Sequence, residues 1–408
     1  MLAPLRHPVY RRLFTAQVIA LLGTGLTSVA LALLAYDLAG ADAGTVLGIA
    51  LGLKMVAYVV IAPLTTGLLA GVDRRRLLVG LDLSRALAAL AMPFVTAVWQ
   101  VYVLIFLLNA CSAGFTPTFQ ATIPDVLEDD RSYTSALSLS RLAYELESLA
   151  SPALAAAALL LVGYHELFAA NGVAFLCSAL LVRSIRLPAA TATARAGVGS
   201  WWARVSLGTR RYLAVPRLRG LLALNVGVAA ASAMVIVNTV LLVHDELGRG
   251  GDATVAIALG AAGLGAMLAA VALPRLLRAF GDRSLMLAGG ALLVAGLVAT
   301  AAVSSYAMLL VVWALLGVGL ALAQTPAGRL VQQSAQADDG PALFAAQFSL
   351  SHACWLVTYP VAGALGALIG LSQVAIVLAA IAGISVVAAA WLWRPTPTVA
   401  GDASLHPA

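Results

Sequence analysis

Apolar stretches long enough to cross the hydrocarbon core of a bilayer, which takes roughly 20 residues, recur along the whole of this 408-residue chain. That recurrence leaves few options. A backbone N–H or C=O without a partner is too costly in lipid, so each crossing is expected to be a helix. The spans fall at about 13–37, 45–70, 77–98, 101–120, 134–162, 167–183, 219–243, 253–273, 284–303, 306–326, 342–369 and 371–393, twelve in all. Only 10% of the residues are charged and 62% are hydrophobic, whereas a soluble globular chain carries roughly 25% charged residues. The chain reads as an all-α integral membrane protein. Its first span follows Arg6, Arg11 and Arg12 but is too long for the apolar core of a signal peptide, and is expected to remain as a helix.

Arginine placement sets the orientation. Of the 24 basic residues, Lys54, Arg85 and Arg141 lie within spans and Arg249 lies in a loop on one side; all the others gather at the termini and in the alternate loops. This asymmetry puts both termini and the arginine-rich loops in the cytoplasm. The net charge of +6 follows from that rule and gives no reason to expect a nucleic-acid partner. Cys111, Cys177 and Cys354 all fall within spans as small buried residues, and no disulfide framework, metal motif or cofactor motif is present.

The longest loop divides the chain into 1–183, a six-helix bundle; 184–218, a cytoplasmic inter-bundle loop; 219–394, a second six-helix bundle; and 395–408, a tail. Within the loop, "SWWARVSLGTRRYL" mixes Trp201, Trp202, Val205 and Tyr212 with Arg204, Arg210 and Arg211, as an amphipathic helix lying on anionic lipid would. The halves echo each other at an offset of 209: Asp73-Arg74 recurs as Asp282-Arg283 and Thr116-Pro117 as Thr325-Pro326, while Pro152 nearly matches Pro360. Three matches at equivalent places argue for internal duplication.

Duplicated six-helix halves are the architecture of major facilitator transporters, and the motifs resemble that superfamily directly. "GLLAGVDRRRLL" (67–78) resembles its loop 2–3 signature, although Gly71 stands where an Asp is usual and Arg74 replaces the second Gly. "DLSRA" (82–86), "FTPTFQATIPDVL" (115–127), "LASPALAA" (149–156) and "FSLSHACWLVTYPVAG" (348–363) resemble the bacterial branch of enterobactin-type siderophore exporters and macrolide efflux proteins. The resemblance implies twelve transmembrane helices in two pseudo-symmetric six-helix bundles. It also implies a gate at the cytoplasmic end, assigned to Asp73, Arg74, Arg75, Arg76, Asp82, Arg85, Asp282 and Arg283.

A charge at mid-bilayer costs about 2.5–3.5 kcal/mol even on insertion scales, so each one needs a partner or a role. Asp82 and Arg85, three apart, can pair on one helix face, and so can Arg141 and Glu145, four apart. Lys54 and Glu147 are left without partners on their own helices, and are expected to form a pair between spans two and five that is either structural or part of proton transfer. His352 is the one histidine well inside a span, with Trp355 and Tyr359 near its face. Lys54, Arg141, Glu145, Glu147 and His352 are therefore the expected proton-coupling network.

Uncharged polar stripes mark helix faces that meet a cavity or a neighbouring helix. Gln17, Thr24 and Ser28 form one on span one; Asn109, Ser112, Thr116 and Gln120 on span four; and Asn225, Ser232 and Thr239 on span seven. With Tyr359 these are the expected substrate-cavity residues, and the resemblance assigns cavity lining to spans one, four, seven and ten. Together the readings describe a secondary active exporter of a small, drug- or siderophore-like amphipathic molecule, working by alternating access with proton antiport. Its partners would be that substrate, protons and membrane lipids, and it would be a monomer in the bacterial inner membrane. A flippase for a lipid-like substrate, or an importer of a small solute or metal on the same fold, is the alternative. No P-loop or nucleophile elbow points to an enzyme or an ATP-driven pump.

Overall fold

The computed structural model describes residues 2–39, 43–68, 72–127, 129–159, 161–187, 205–248, 252–336 and 339–394. Among the described residues the polypeptide forms twelve long helices. In the first half these are α1 (Pro8–Ala39), α2 (Ala43–Leu68), α3 (Arg74–Ala91), α4 (Val98–Val126), α5 (Asp130–Leu159) and α6 (Tyr164–Arg183). The second half has α7 (Pro216–Leu241), α8 and α9, α10 (Tyr306–Gln324), α11 (Gly340–Ile369) and α12 (Leu371–Leu392). Helices α8 (252–280) and α9 (282–300) run on continuously except at Gly281, whose φ of 73° is closed to most side-chain-bearing residues and makes the reversal. Helix α3 stops earlier than its hydropathy suggests. The chain tightens into a 3-10 turn at Met92–Phe94, where Pro93 cannot donate to the helical ladder.

The helices assemble into two bundles with matching internal pairings. In the first, α1 packs on α6 and α5, α2 on α4, and α3 on α6; in the second, α7 packs on α12 and α11, α8 on α10, and α9 on α12. Phe115, Phe119, Leu139 and Phe175 sit in the cores of the first bundle, and Trp313, Leu221 and Leu378 in that of the second. Small residues let backbones approach where lipid offers no hydrophobic drive between helices. At the α8–α10 crossing, a Cβ on Gly317 would lie 1.8 Å from the Ala262 carbonyl oxygen, and one on Gly265 2.0 Å from that of Ala314.

The bundles meet along a seam formed by α2 against α11 and α5 against the α8–α9 hairpin, with α4 also touching α11. Two short helices lie at the arginine-rich end. One, Ala327–Ser334, links α10 to α11. The other, Leu207–Ala214, packs on the start of α11: Tyr212 is fully buried there and bonds Gln347, so it turns into protein and not toward lipid. Burial pushes the Tyr212 phenol far above its ordinary range. Arg211 reaches Gln336 at 2.9 Å and Asp339 at 3.7 Å. Trp201, Trp202 and Arg204 lie outside the described residues, as does the 395–408 tail.

Candidate functional site

At the arginine-rich end, one arginine joins the two bundles. Asp129 accepts from the Ser132 N–H at 2.9 Å, and hydrogen bonds from Ser132 hold its carboxyl below the usual range. This capping starts α5 at Asp130, and Asp130 and Thr134 in its first two turns face the second bundle. Arg329, on the linking helix, donates to Thr134 Oγ1, lies 3.3 Å from the Asp130 carboxylate and 3.5 Å from its carbonyl oxygen, and forms a second ion pair at 3.1 Å with Asp282. Asp282 belongs to the same bundle as Arg329, so it orients the guanidinium while Asp130 and Thr134 receive it across the seam. Gly328 allows the approach: a Cβ there would come within 3.0 Å of Leu137 and 3.1 Å of the Tyr133 hydroxyl.

Sequence reasoning found Asp282 but missed Arg329, Asp130 and Thr134. In sequence, Arg329 is one more arginine in a cytoplasmic loop. Asp73, Arg74, Arg75, Arg76 and Arg283 were expected at the gate with Asp282, but the contacts described for them stay within their own bundles. Asp73 caps α3 by accepting from the Arg76 N–H at 3.0 Å. Arg74 pairs with Asp125, Arg75 reaches the Ile185 carbonyl at 3.4 Å, and Arg283 reaches that of Ala390 at 3.5 Å. Asp82 and Arg85 do pair on one face of α3, fully inside the first bundle. Ser178 of α6 donates to Asp82 at 2.7 Å, and the Arg85 guanidinium lies 4.1 and 4.4 Å from the centres of the Phe115 and Phe175 rings. That cluster ties α3 to α4 and α6.

Deeper along the seam, Arg141 of α5 donates to Gln324 of α10 at 2.9 Å, crossing between bundles. On the other side, Ser349 of α11 donates to the Val59 carbonyl of α2 at 2.5 Å. Next to this bond, Tyr58 packs against Phe348 and edge-on against His352, which also meets Trp355. His352 Nδ1 sits 2.7 Å from the Phe348 carbonyl oxygen. The Lys54 ammonium lies 5.7 Å from the Tyr58 ring centre, and no carboxylate among the described residues is within ion-pair distance of it. The structure therefore places Lys54 beside the α2–α11 aromatic cluster instead of in an ion pair with Glu147. Glu147 is half-buried on α5; Glu145 is on the same helix, but its side chain lies outside the described residues.

The polar stripes divide into two groups. Gln17 accepts from Ser140 at 3.2 Å; Asn109 donates to the Ile105 carbonyl at 2.7 Å; and Asn225, Ser232 and Thr239 are buried. Thr239 accepts from the Trp313 indole at 2.8 Å and serves α7–α10 packing. Thr24, Ser112, Thr116, Gln120 and Tyr359 are half-buried. The hydroxyls of Thr24 and Ser112 bond the carbonyls of Ala20 and Leu108 on their own helices. The Ser28 side chain lies outside the described residues. Among the described residues, no three His, Cys, Asp or Glu side chains converge on a metal-sized site.

Comparison with known proteins places this geometry. A family of transmembrane secretion effectors, within the major facilitator superfamily, matches residues 1–338. No curated protein matches significantly. The crystal structure of the human organic anion transporter MFSD10 superposes with a TM-score of 0.81 at 15% identity, covering 93% of this chain and 98% of that one. The E. coli fucose:proton symporter gives 0.76 at 12% identity, covering 95% and 98%. A bacterial homologue of the iron transporter ferroportin, in an outward-facing state, gives 0.73 at 15% identity, covering 94% and 99%. At these identities the likeness is one of fold.

Proposed function

The chain belongs to the transmembrane secretion effector family of major facilitator transporters, and from that premise we propose that it exports a small amphipathic molecule in exchange for protons. We place it in a bacterial cytoplasmic membrane with both termini inside, as the gathering of arginines at one end suggests. In the proposed cycle the bundles rock about a central site, and the described arrangement, joined at the arginine-rich end, is one of two end states. Breaking the Arg329 contacts opens that end.

The reading rests on one observation: Lys54 of α2 and Arg141 of α5 lie at the seam between the bundles. Arg141 reaches across it to Gln324, and Lys54 lies beside Tyr58, which itself packs on His352 of α11. Charges kept there at a cost of about 2.5–3.5 kcal/mol each on insertion call for a role in the cycle. Glu147 or Glu145 carries the proton in this scheme. Arg141 and Lys54 are its proposed charge partners. His352 is the second candidate. The half-buried polar residues Thr24, Ser112, Thr116, Gln120 and Tyr359 form the wall offered to substrate.

The test begins with a ligand screen by thermal shift on purified protein, followed by transport of any hit in liposomes after a pH jump. Glu147→Gln or Glu145→Gln is expected to abolish gradient-driven accumulation while leaving substrate exchange at equal pH. If both variants accumulate substrate like the parent, the coupling assignment is wrong.

A further inference from the structure

Between α5 and the end of α8, at the arginine-rich end of the seam, lies a cavity of about 340 Å3. Asp130, Arg131, Thr134 and Ser135 line it from the first bundle, and Pro274, Leu277, Arg278 and Arg329 from the second; the Asp130 carboxylate is paired with Arg329. Three guanidiniums converge here, and their charges are unevenly met. Arg329 is shared by Asp130 and Asp282. Arg131 lies beside Asp129 and favours its ionised form. Arg278 bonds only the Pro274 carbonyl of its own helix, at 3.2 Å, and no carboxylate among the described residues is within ion-pair distance of it. Ser135 adds a hydroxyl, while that of Thr134 is taken up, donating to the Asp130 carbonyl at 2.7 Å and accepting from Arg329. Guanidiniums and a hydroxyl around a small cavity make a site for a tetrahedral oxyanion, because the planar fork of donors matches phosphate oxygens in pairs.

The surface leading to the cavity indicates where that anion comes from. Leu264, Leu268 and Val271 are exposed along one face of α8, and the same 3–4 spacing continues to Arg275 and Arg278. An apolar stripe of this kind faces acyl chains, and its arginines stand at headgroup depth. Leu277 and Pro274 extend the apolar wall into the cavity itself. We propose that this cleft binds the headgroup phosphate of an anionic phospholipid, held by Arg131 and Arg278, with the acyl chains lying along the Leu264–Leu268–Val271 stripe of α8. Because its walls come from both bundles, the cleft exists only while the arginine-rich end is closed. A lipid seated there favours that state through its differential affinity. This preference rests on the alternating-access reading; the binding does not.

Native mass spectrometry of the full chain tests the site. The probes are phosphatidylglycerol, phosphatidylcholine with the same acyl chains, and glycerol 3-phosphate as a headgroup without a tail. Phosphatidylglycerol is expected to remain bound, and the other two to be lost at equal concentration. Each arginine removed should weaken phosphatidylglycerol about fivefold, so Arg131→Gln with Arg278→Gln should weaken it about 25-fold. Both residues are exposed, so the variant should fold, and its melting temperature checks that. Arg275→Gln, on the same stripe but outside the cleft, should bind like the parent. Equal binding by the double variant, or equal loss with Arg275→Gln, overturns the site. Retention of glycerol 3-phosphate as strong as that of the lipid overturns the membrane source.

Discussion

The Arg329 clasp gives the most direct handle on the proposed rocking. Only its contacts with Asp130 and Thr134 cross between bundles; its pair with Asp282 lies within the second bundle and is present in either end state. The Asp130 side chain is 73% exposed, so that ion pair contributes about 0.5 kcal/mol. The Thr134 hydroxyl accepts from a charged donor in a half-buried position, a bond of about 1.5 kcal/mol. Together they favour the closed arginine-rich end by about 2 kcal/mol, a factor of about 30 in population. Arg329→Gln should shift the closed-to-open ratio by about that factor, Thr134→Val by about tenfold, and Asp130→Asn by about twofold. The ratio is read by spin-label distances between Arg186→Cys and Ser284→Cys, one on each bundle, in a background lacking Cys111, Cys177 and Cys354. Phosphatidylcholine liposomes keep anionic lipid from contributing. Loss of the Asp282 partner should lower the melting temperature of Arg329→Gln without entering the ratio, since it is common to both states. The reasoning fails if Arg329→Gln leaves the distances unchanged, or if Asp130→Asn matches it.

Three further outcomes follow from the packing. Gly317→Leu must push α8 from α10, because its Cβ would lie 1.8 Å from the Ala262 carbonyl oxygen; a loss of about 1–3 kcal/mol is expected, and an unchanged melting curve would contradict it. Asp82→Asn strands the buried Arg85 guanidinium and should cost about 3–5 kcal/mol by denaturation, whereas Asp82→Leu with Arg85→Met should come back near the parent. Should the double variant be as unstable as the single one, the pair would be doing more than balancing its own charges. Lys54→Met removes from the seam a charge with no ion-pair partner among the described residues, and should raise the melting temperature while stopping transport of any identified substrate. A fall in stability would mean that Lys54 has a stabilising partner.

How far the molecule could be read in advance depended on the range of each interaction. The twelve spans came from hydropathy, which each stretch of the chain carries by itself; the expected orientation and duplication rest in the same way on arginine counts and on repeats at a fixed offset. The Asp82–Arg85 pair was equally legible, since residues three apart on a helix are neighbours wherever that helix goes. Its supports were not: Ser178, Phe115 and Phe175 arrive from two other helices.

The polar stripe on α7 shows a different limit. The helical period correctly grouped Asn225, Ser232 and Thr239 on one side of the helix. Periodicity does not say what that side meets, and Thr239 turned out to meet Trp313.

The seam lay beyond reach for the same reason. Asp130 and Arg329 are separated by 199 residues, and each looks like an ordinary loop charge until the fold sets one bundle against the other. Lys54 showed the converse. Its sequence demanded a countercharge, and only the packing of α2 on α11 revealed, among the described residues, an aromatic neighbour. Which segments enter the membrane is determined by transfer free energies that each stretch carries alone. Which charges face each other is decided by bundle packing, whose contacts are specified by two distant surfaces at once.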